Sequence, residues 1–213
     1  MQAGKVFSLA QDNPAVPGCT VSGEILPGVI CFSLAADTDI SAERYPGDVL
    51  QLQLAGRSRL AAPAGDRTLA PGTFAVKPAH TDIGVAAEGH QDSIYLEMDL
   101  PKENTMHQAI KAGEIFALAD LVPYQDGKIV NMDVVNSDHL KFVVMAFDNG
   151  SALAEHAAPG EALVFALEGK AEIGYEGETH PIAAGENFRF AKGGLHSVRA
   201  TGRFKMALLL MRD

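Results

Sequence analysis

The stretch Gly150-Ser151-Ala152-Leu153-Ala154-Glu155-His156-Ala157-Ala158-Pro159-Gly160-Glu161-Ala162-Leu163-Val164-Phe165-Ala166-Leu167-Glu168-Gly169 decides how this chain is read. A turn glycine opens it, a Pro159-Gly160 pair breaks it, and an apolar run over 162–167 closes on a second turn glycine. Short apolar or alternating runs bounded by Gly and Pro are strands, because glycine supplies the positive φ that tight turns demand. Outward from this stretch the pattern continues. Residues 141–147 form a β-branched and aromatic run that ends at Asp148-Asn149-Gly150. Turns at Glu168-Gly169, Glu176-Gly177, Gly185, Gly193-Gly194 and Gly202 then set off strands over 187–190, 196–200 and 204–211. Such even, short spacing predicts an all-β sandwich or barrel.

The same stretch occurs twice. Tyr45-Pro46-Gly47-Asp48 recurs as Ala158-Pro159-Gly160-Glu161, 113 residues on, and the same spacing links Gly56 to Gly169 and Gly72 to Gly185. Val6-Phe7-Ser8-Leu9-Ala10 returns as Ile115-Phe116-Ala117-Leu118-Ala119, 109 residues on. A fixed period is the signature of a repeated architecture. The chain therefore divides into copies over 1–100 and 114–213, the first with strands expected over 49–54, 73–76 and 94–98. Between them, residues 101–113 carry helix formers after Pro101 and end at Gly113, which predicts a short helical linker.

Composition narrows the function classes. The 213 residues hold 27 acidic against 17 basic side chains, a formal charge of −10. With no basic run, nucleic acid and anionic membrane surfaces are poor partners, since both are bound by displacing counterions from a negative surface. No apolar run approaches the length that spans a bilayer, and Met1 to Ala10 has no apolar stretch followed by a cleavage site. Cys19 and Cys31 have no metal or redox spacing and read as reduced thiols, so a cytoplasmic location is expected. The expected partner is a small molecule.

With these motifs in hand, the second copy resembles the cupin superfamily of double-sheet jelly-roll barrels. Gly150 to Gly169 lies on that family's first motif, which is Gly, five residues, His-x-His, three or four residues, Glu, six residues, Gly. Gly185 to His196 lies on its second, which is Gly, five residues, Pro-x-Gly, two residues, His. The repeat carries the resemblance, more weakly, to the first copy, so the expected fold is two tandem cupin-like barrels. In the family, two His and the Glu of the first motif and the His of the second hold a transition metal.

Carried over by position, the resemblance puts His156 and His196 at two of these four places, with Ala158 and Ala162 at the others. In the first copy the four places hold Glu43, Tyr45, Val49 and Ile83. Two imidazoles make a weak divalent-metal site, because a lasting one takes a third protein ligand. Two readings of His156 and His196 follow: a weakly held divalent transition metal or acid–base work on a bound molecule, or two residues that line a metal-free pocket.

Strand alternation adds candidates. If position 162 points inward as the family ligand does, Ala162, Val164 and Ala166 line the second barrel, and Val49, Gln51 and Gln53 line the first. Glu43, Tyr45, Gln51 and Gln53 then form a polar, metal-free pocket, and the outward Leu and Phe rows need covering by each other or by a second chain, which makes a homodimer one arrangement. Plain amphipathic alternation gives the opposite, with leucines as core and glutamines in water. The expected function is small-molecule binding or sensing, with the pocket in the second barrel. The alternatives are a metal-dependent isomerase or oxygenase using His156 and His196, and a structural, oligomer-forming protein.

Overall fold

The computed structural model describes residues 2–103 and 105–212. The chain opens with β1 (Val6–Phe7) and a single helical turn, α1 (Leu9–Asp12). It continues through β2 (Thr20–Leu26), β3 (Val29–Leu34), β4 (Asp39–Arg44), β5 (Val49–Ala55) and β6 (Ser58–Ala61). Next come β7 (Arg67–Leu69), β8 (Thr73–Lys77), β9 (Asp82–Ala87) and β10 (Ser93–Asp99). After them lie β11 (Thr105–Met106), β12 (Ile115–Ala117) and a 3-10 turn at Leu118–Leu121. The remainder is β13 (Ile129–Asn136), β14 (Leu140–Phe147), β15 (Ala152–Ala157), β16 (Glu161–Glu168) and β17 (Lys170–Tyr175), then β18 (Glu178–Ala183), β19 (Asn187–Phe190), β20 (Leu195–Ala200) and β21 (Phe204–Met211). The architecture is all-β, as the turn spacing predicts.

The helical linker is not there. Among the described residues of 101–113 the backbone forms turns and the two-residue β11. The segment's apolar residues at helical period, Met106, Ala109 and Ile110, span little more than one turn, and a short helix without tertiary support does not outlast its nucleation cost. Ile110 alone among its hydrophobic side chains is fully buried, which pins the segment as a loop.

Two compact units result. The first barrel comprises Leu9–Lys102 and Gln108–Ala117, and the second takes the residues up to Ser8, Glu103–His107 and the chain from Leu118 onward. In the second barrel a seven-stranded sheet, β1-β19-β16-β21-β14-β13-β11, faces a four-stranded one, β15-β20-β17-β18. In the first, β12-β8-β5-β10-β3-β2 faces β4-β9-β6-β7. Apart from the added β11 at the end of the seven-stranded sheet, the strand orders match member for member. The matched edge strands come from the other copy of the repeat: β1 pairs with β19 through Val6↔Phe188, and β12 pairs with β8 through Ile115↔Ala75. Each such pairing caps a sheet edge that would otherwise present unpaired amides and carbonyls.

Register settles which face is inside. In the second barrel, Ala162, Val164 and Ala166 of β16 join Phe188, Phe190 and Met206 in one apolar core with Ile173, Ile182 and Val198 of the facing sheet. Leu163 and Phe165 occupy the opposite face and are also buried. In the first barrel Gln51 and Gln53 lie on the inward side of β5, opposite Ala75 of β8 and Tyr95 of β10, and both are fully buried. The amphipathic alternative, with glutamines in water, therefore does not hold. Side-chain alternation alone was compatible with either face, because the leucines on the other side are buried as well.

Candidate functional site

The imidazole pair arises from strand pairing. His156 of β15 and His196 of β20 are directly opposite residues in an antiparallel pair, and a β-bulge between Leu153 and His156 sets the register just before the site. Bulges turn a side chain away from strict alternation and recur beside functional sites. The same irregularity falls between Ile40 and Glu43 in β4, where Glu43 opposes Ile83. The His156 and His196 ring centroids lie 4.2 Å apart at 50°.

Each ring is anchored on one nitrogen. His156 Nδ1 donates to the carbonyl of Ala154 at 2.8 Å, and His196 Nδ1 to that of Gly194 at 3.2 Å. A carbonyl only accepts, so both rings carry the proton on Nδ1 in their neutral form and present Nε2 as a lone pair. Among the described residues, neither Nε2 has a hydrogen-bond partner. His196 is 6% exposed and stacks on Phe190 at 4.0 Å, whereas His156 is exposed. Burial holds the His196 imidazole below its ordinary range, with the neighbouring His156 acting in the same direction and the Gly194 carbonyl opposing it. His196 is therefore neutral at physiological pH.

Behind the pair stands an aromatic wall that sequence reading did not collect. Phe190 lies 5.2 Å from Phe188, Tyr175 lies 5.7 and 5.8 Å from the two, and the His180 ring lies 5.2 Å from Phe188. His180 thus packs against Phe188 of the core. The wall was readable by alternation on β19, since Phe188 and Phe190 share a face. Ala162 is the direct neighbour of Phe190, and Ala162, Val164 and Ala166 form part of the apolar core beneath it.

This donor set is too small for a metal site. Ala158 and Ala162, at the remaining family positions, are buried and carry no donor atom. Glu161, one place along, is held by Arg189 at 2.7 Å. Among the described residues no group of three or more His, Cys, Asp or Glu is placed to hold a metal ion. Two imidazoles fall short of the three protein ligands of a stable site, so the residues present do not fit a resident metal.

In the first barrel the corresponding places hold different chemistry. The Tyr45 hydroxyl lies 2.7 Å from Glu43 Oε2 and 3.1 Å from Glu97 Oε2. Lys77 Nζ pairs with Glu97 and stands 4.6 Å over the Tyr45 ring. Burial and the hydrogen bond to Glu43 push the Tyr45 phenol well above its usual range. Lys77, Tyr95 and Glu97 were not singled out from the sequence, although alternation on β8 and β10 puts them on the same inward faces as Ala75 and Gln53. No helix among the described residues is long and apolar enough to cross a membrane.

Comparison with known proteins agrees with this architecture. Residues 143–211 match the family model described as cupin domain. The chain is similar to the Cupin 2 conserved barrel domain protein from Leptotrichia buccalis, with 27% identity, a TM-score of 0.85, and coverage of 100% of this chain and 98% of the other. It shares its fold with a salicylate 1,2-dioxygenase from Pseudaminobacter salicylatoxidans, at 12% identity and a TM-score of 0.65, over 89% of this chain and 75% of that one. A putative glyoxylate induced protein from Pseudomonas aeruginosa aligns at 16% identity and a TM-score of 0.61, over 86% and 73% of the two chains. Among curated proteins, none matches the chain.

Proposed function

The chain belongs to the cupin superfamily, and from that premise we propose that it is a small-molecule-binding or sensing protein whose ligand is held at the His156–His196 pair of the second barrel. One observation carries this reading. Both Nδ1 atoms are tied to backbone carbonyls, which leaves two neighbouring Nε2 lone pairs facing no donor. Two acceptors cannot satisfy each other, so a ligand with hydrogen-bond donors, such as a diol or a phenol, completes the site. Phe190 and the aromatic wall fix the ring that meets it, and Ala162, Val164 and Ala166 back that wall.

A second reading draws on the same lone pairs. A metal-dependent enzyme would also take neutral Nε2 ligands, but the donor set stops at two, and the reading needs a third ligand from outside the described residues or from the bound molecule. The free thiols Cys19 and Cys31 support a reducing, cytoplasmic setting; Cys31 is buried and its thiol is pushed up to about 11.

The test is thermal denaturation with a panel of small diols and phenols, alongside His156→Ala. A ligand at about 100 times its dissociation constant adds about 2.7 kcal/mol of stability. The expected result is a melting shift in the wild type that disappears in His156→Ala, a change at an exposed position that leaves the fold intact. An equal shift in the variant removes His156 from the site, and shifts from no compound in the panel overturn the reading.

A further inference from the structure

An open sheet leaves two edge strands whose outward amides and carbonyls can pair with another chain, and folded proteins blunt such edges. Among the described residues the four sheets end on β1 and β11, β12 and β2, β15 and β18, and β4 and β7. All but one of these edges are blunted. Strands β1, β7, β11 and β12 have only two or three residues, β18 contains Pro181, and β-bulges break β4 between Ile40 and Glu43 and β15 between Leu153 and His156. Strand β2 is the exception. Its register against β3 is unbroken from Thr20 to Glu24, it has no proline, and its one charged side chain is Glu24. All five residues of that run are exposed.

The second barrel covers the matching edge. There β13 is paired by β11 through Thr105↔Asn136 and Met106↔Val135, whereas among the described residues no strand lies on the outer side of β2. The exposed run is also complementary to itself. An antiparallel pairing that uses the whole regular stretch 20–24 of two copies puts Ser22 on the two-fold axis, with Val21 opposite Gly23 and Thr20 opposite Glu24 of the other copy. Val21 is 46% exposed, and the space where a Cβ on Gly23 would lie is empty to 4 Å, so the valine of each copy covers the bare glycine of the other. The Thr20 hydroxyl can donate to the Glu24 carboxylate, and the two Glu24 side chains do not face each other. Leu50, Leu52, Leu163 and Phe165, the outward rows, are buried in the single chain, so the contact falls on the edge instead.

We propose that β2 is an association surface for a second copy of this chain, paired edge to edge so that the two six-stranded sheets run on as one. Self-pairing satisfies the outward amides and carbonyls of both copies at once, and a two-fold axis closes the contact so that association stops at the dimer. The Val21–Gly23 and Thr20–Glu24 pairs, each supplied twice by one sequence, select a second copy over an unrelated extended peptide. The contact uses neither imidazole and does not rest on the ligand reading.

Sedimentation equilibrium of the full chain over a series of protein concentrations tests it. The expected result is a reversible monomer–dimer equilibrium in the wild type. Thr20→Glu sets two carboxylates opposite each other at both ends of the pairing and weakens the dimer at least about fivefold, and adding Glu24→Lys to that variant restores opposite charges and recovers the affinity. Both positions are exposed, so the fold survives, and thermal unfolding of the variants checks that it does. A wild type that stays monomeric at every concentration overturns the proposal and leaves the edge to an extended peptide. A dimer that Thr20→Glu does not weaken, or that the charge swap does not recover, overturns it as well, because the pairing surface then lies elsewhere.

Discussion

Lys77 and Phe190 occupy one and the same place in the two barrels: Lys77 opposes Val49 across β8 and β5, and Phe190 opposes Ala162 across β19 and β16. From that place Phe190 stacks on His196, and Lys77 reaches Glu97. The backbone register is shared and the chemistry is opposite. In one barrel the position supports an imidazole, and in the other it supplies a buried charge.

That charge makes a double-mutant cycle informative. Lys77→Met leaves the Glu97 carboxylate buried with no cationic partner, and breaking a buried pair from one side costs about 3–5 kcal/mol. Replacing both, Lys77→Met with Glu97→Leu, removes the uncompensated charge and imitates the apolar second barrel. Urea denaturation is expected to place the double variant within about 1 kcal/mol of the wild type. Single variants as stable as the wild type would mean that the pair is not desolvated.

Two glycines of the repeat are irreplaceable for a stated reason. Gly169 has φ of 74°, and a Cβ there would lie 2.0 Å from the Arg203 carbonyl oxygen; Gly56 has φ of 62°, and its Cβ would lie 1.8 Å from that of Asp92. Backbone atoms cannot swing aside as a side chain does. Gly169→Ala and Gly56→Ala are each expected to cost more than about 4 kcal/mol. Gly72 and Gly185 also have positive φ but nothing within 4 Å, so alanine there costs about 1–2 kcal/mol. Chemical denaturation of the four variants checks the contrast, and equal losses would show that close approach is not the cause.

Stability is expected to fall on mild acidification through His196. In the unfolded chain its imidazole takes up a proton near 6.5, whereas burial lowers that value in the folded chain. Between the two the unfolded state binds more protons, so the contribution is complete above about pH 6.5 and is lost as pH falls toward the folded value. His196→Phe keeps an aromatic ring beside Phe190 and removes the titration. The difference in melting temperature between about pH 7.5 and about pH 5.5 should shrink in this variant. An unchanged difference would place the acid sensitivity elsewhere.

Much of this molecule was legible because its signals are local. Strand β19 at Asn187–Phe190 coincides with the run between Gly185 and Gly193, since a glycine at positive φ ends a strand using its own backbone, and strand β21 at Phe204–Met211 coincides with the apolar run after Gly202. The cupin resemblance carried by the Gly150–Gly169 and Gly185–His196 motifs put His156 and His196 at two ligand positions, and the structure pairs them on adjacent strands with their rings 4.2 Å apart. Residues 101–113 misled because helix formers count for little when the apolar face, Met106, Ala109 and Ile110, spans barely one turn.

By itself, then, the sequence determined the turns, the strands and the repeat, all properties of neighbours along the chain. Tertiary structure alone decided that β1 completes the second barrel and β12 the first, and that Gln51 rather than Leu50 faces inward. It also decided that Lys77, Tyr95 and Glu97 meet Gln51 and Gln53 in one buried group. The physical reason is that alternation fixes which residues share a face but not which face is covered, and an edge strand takes whatever partner packing brings to it.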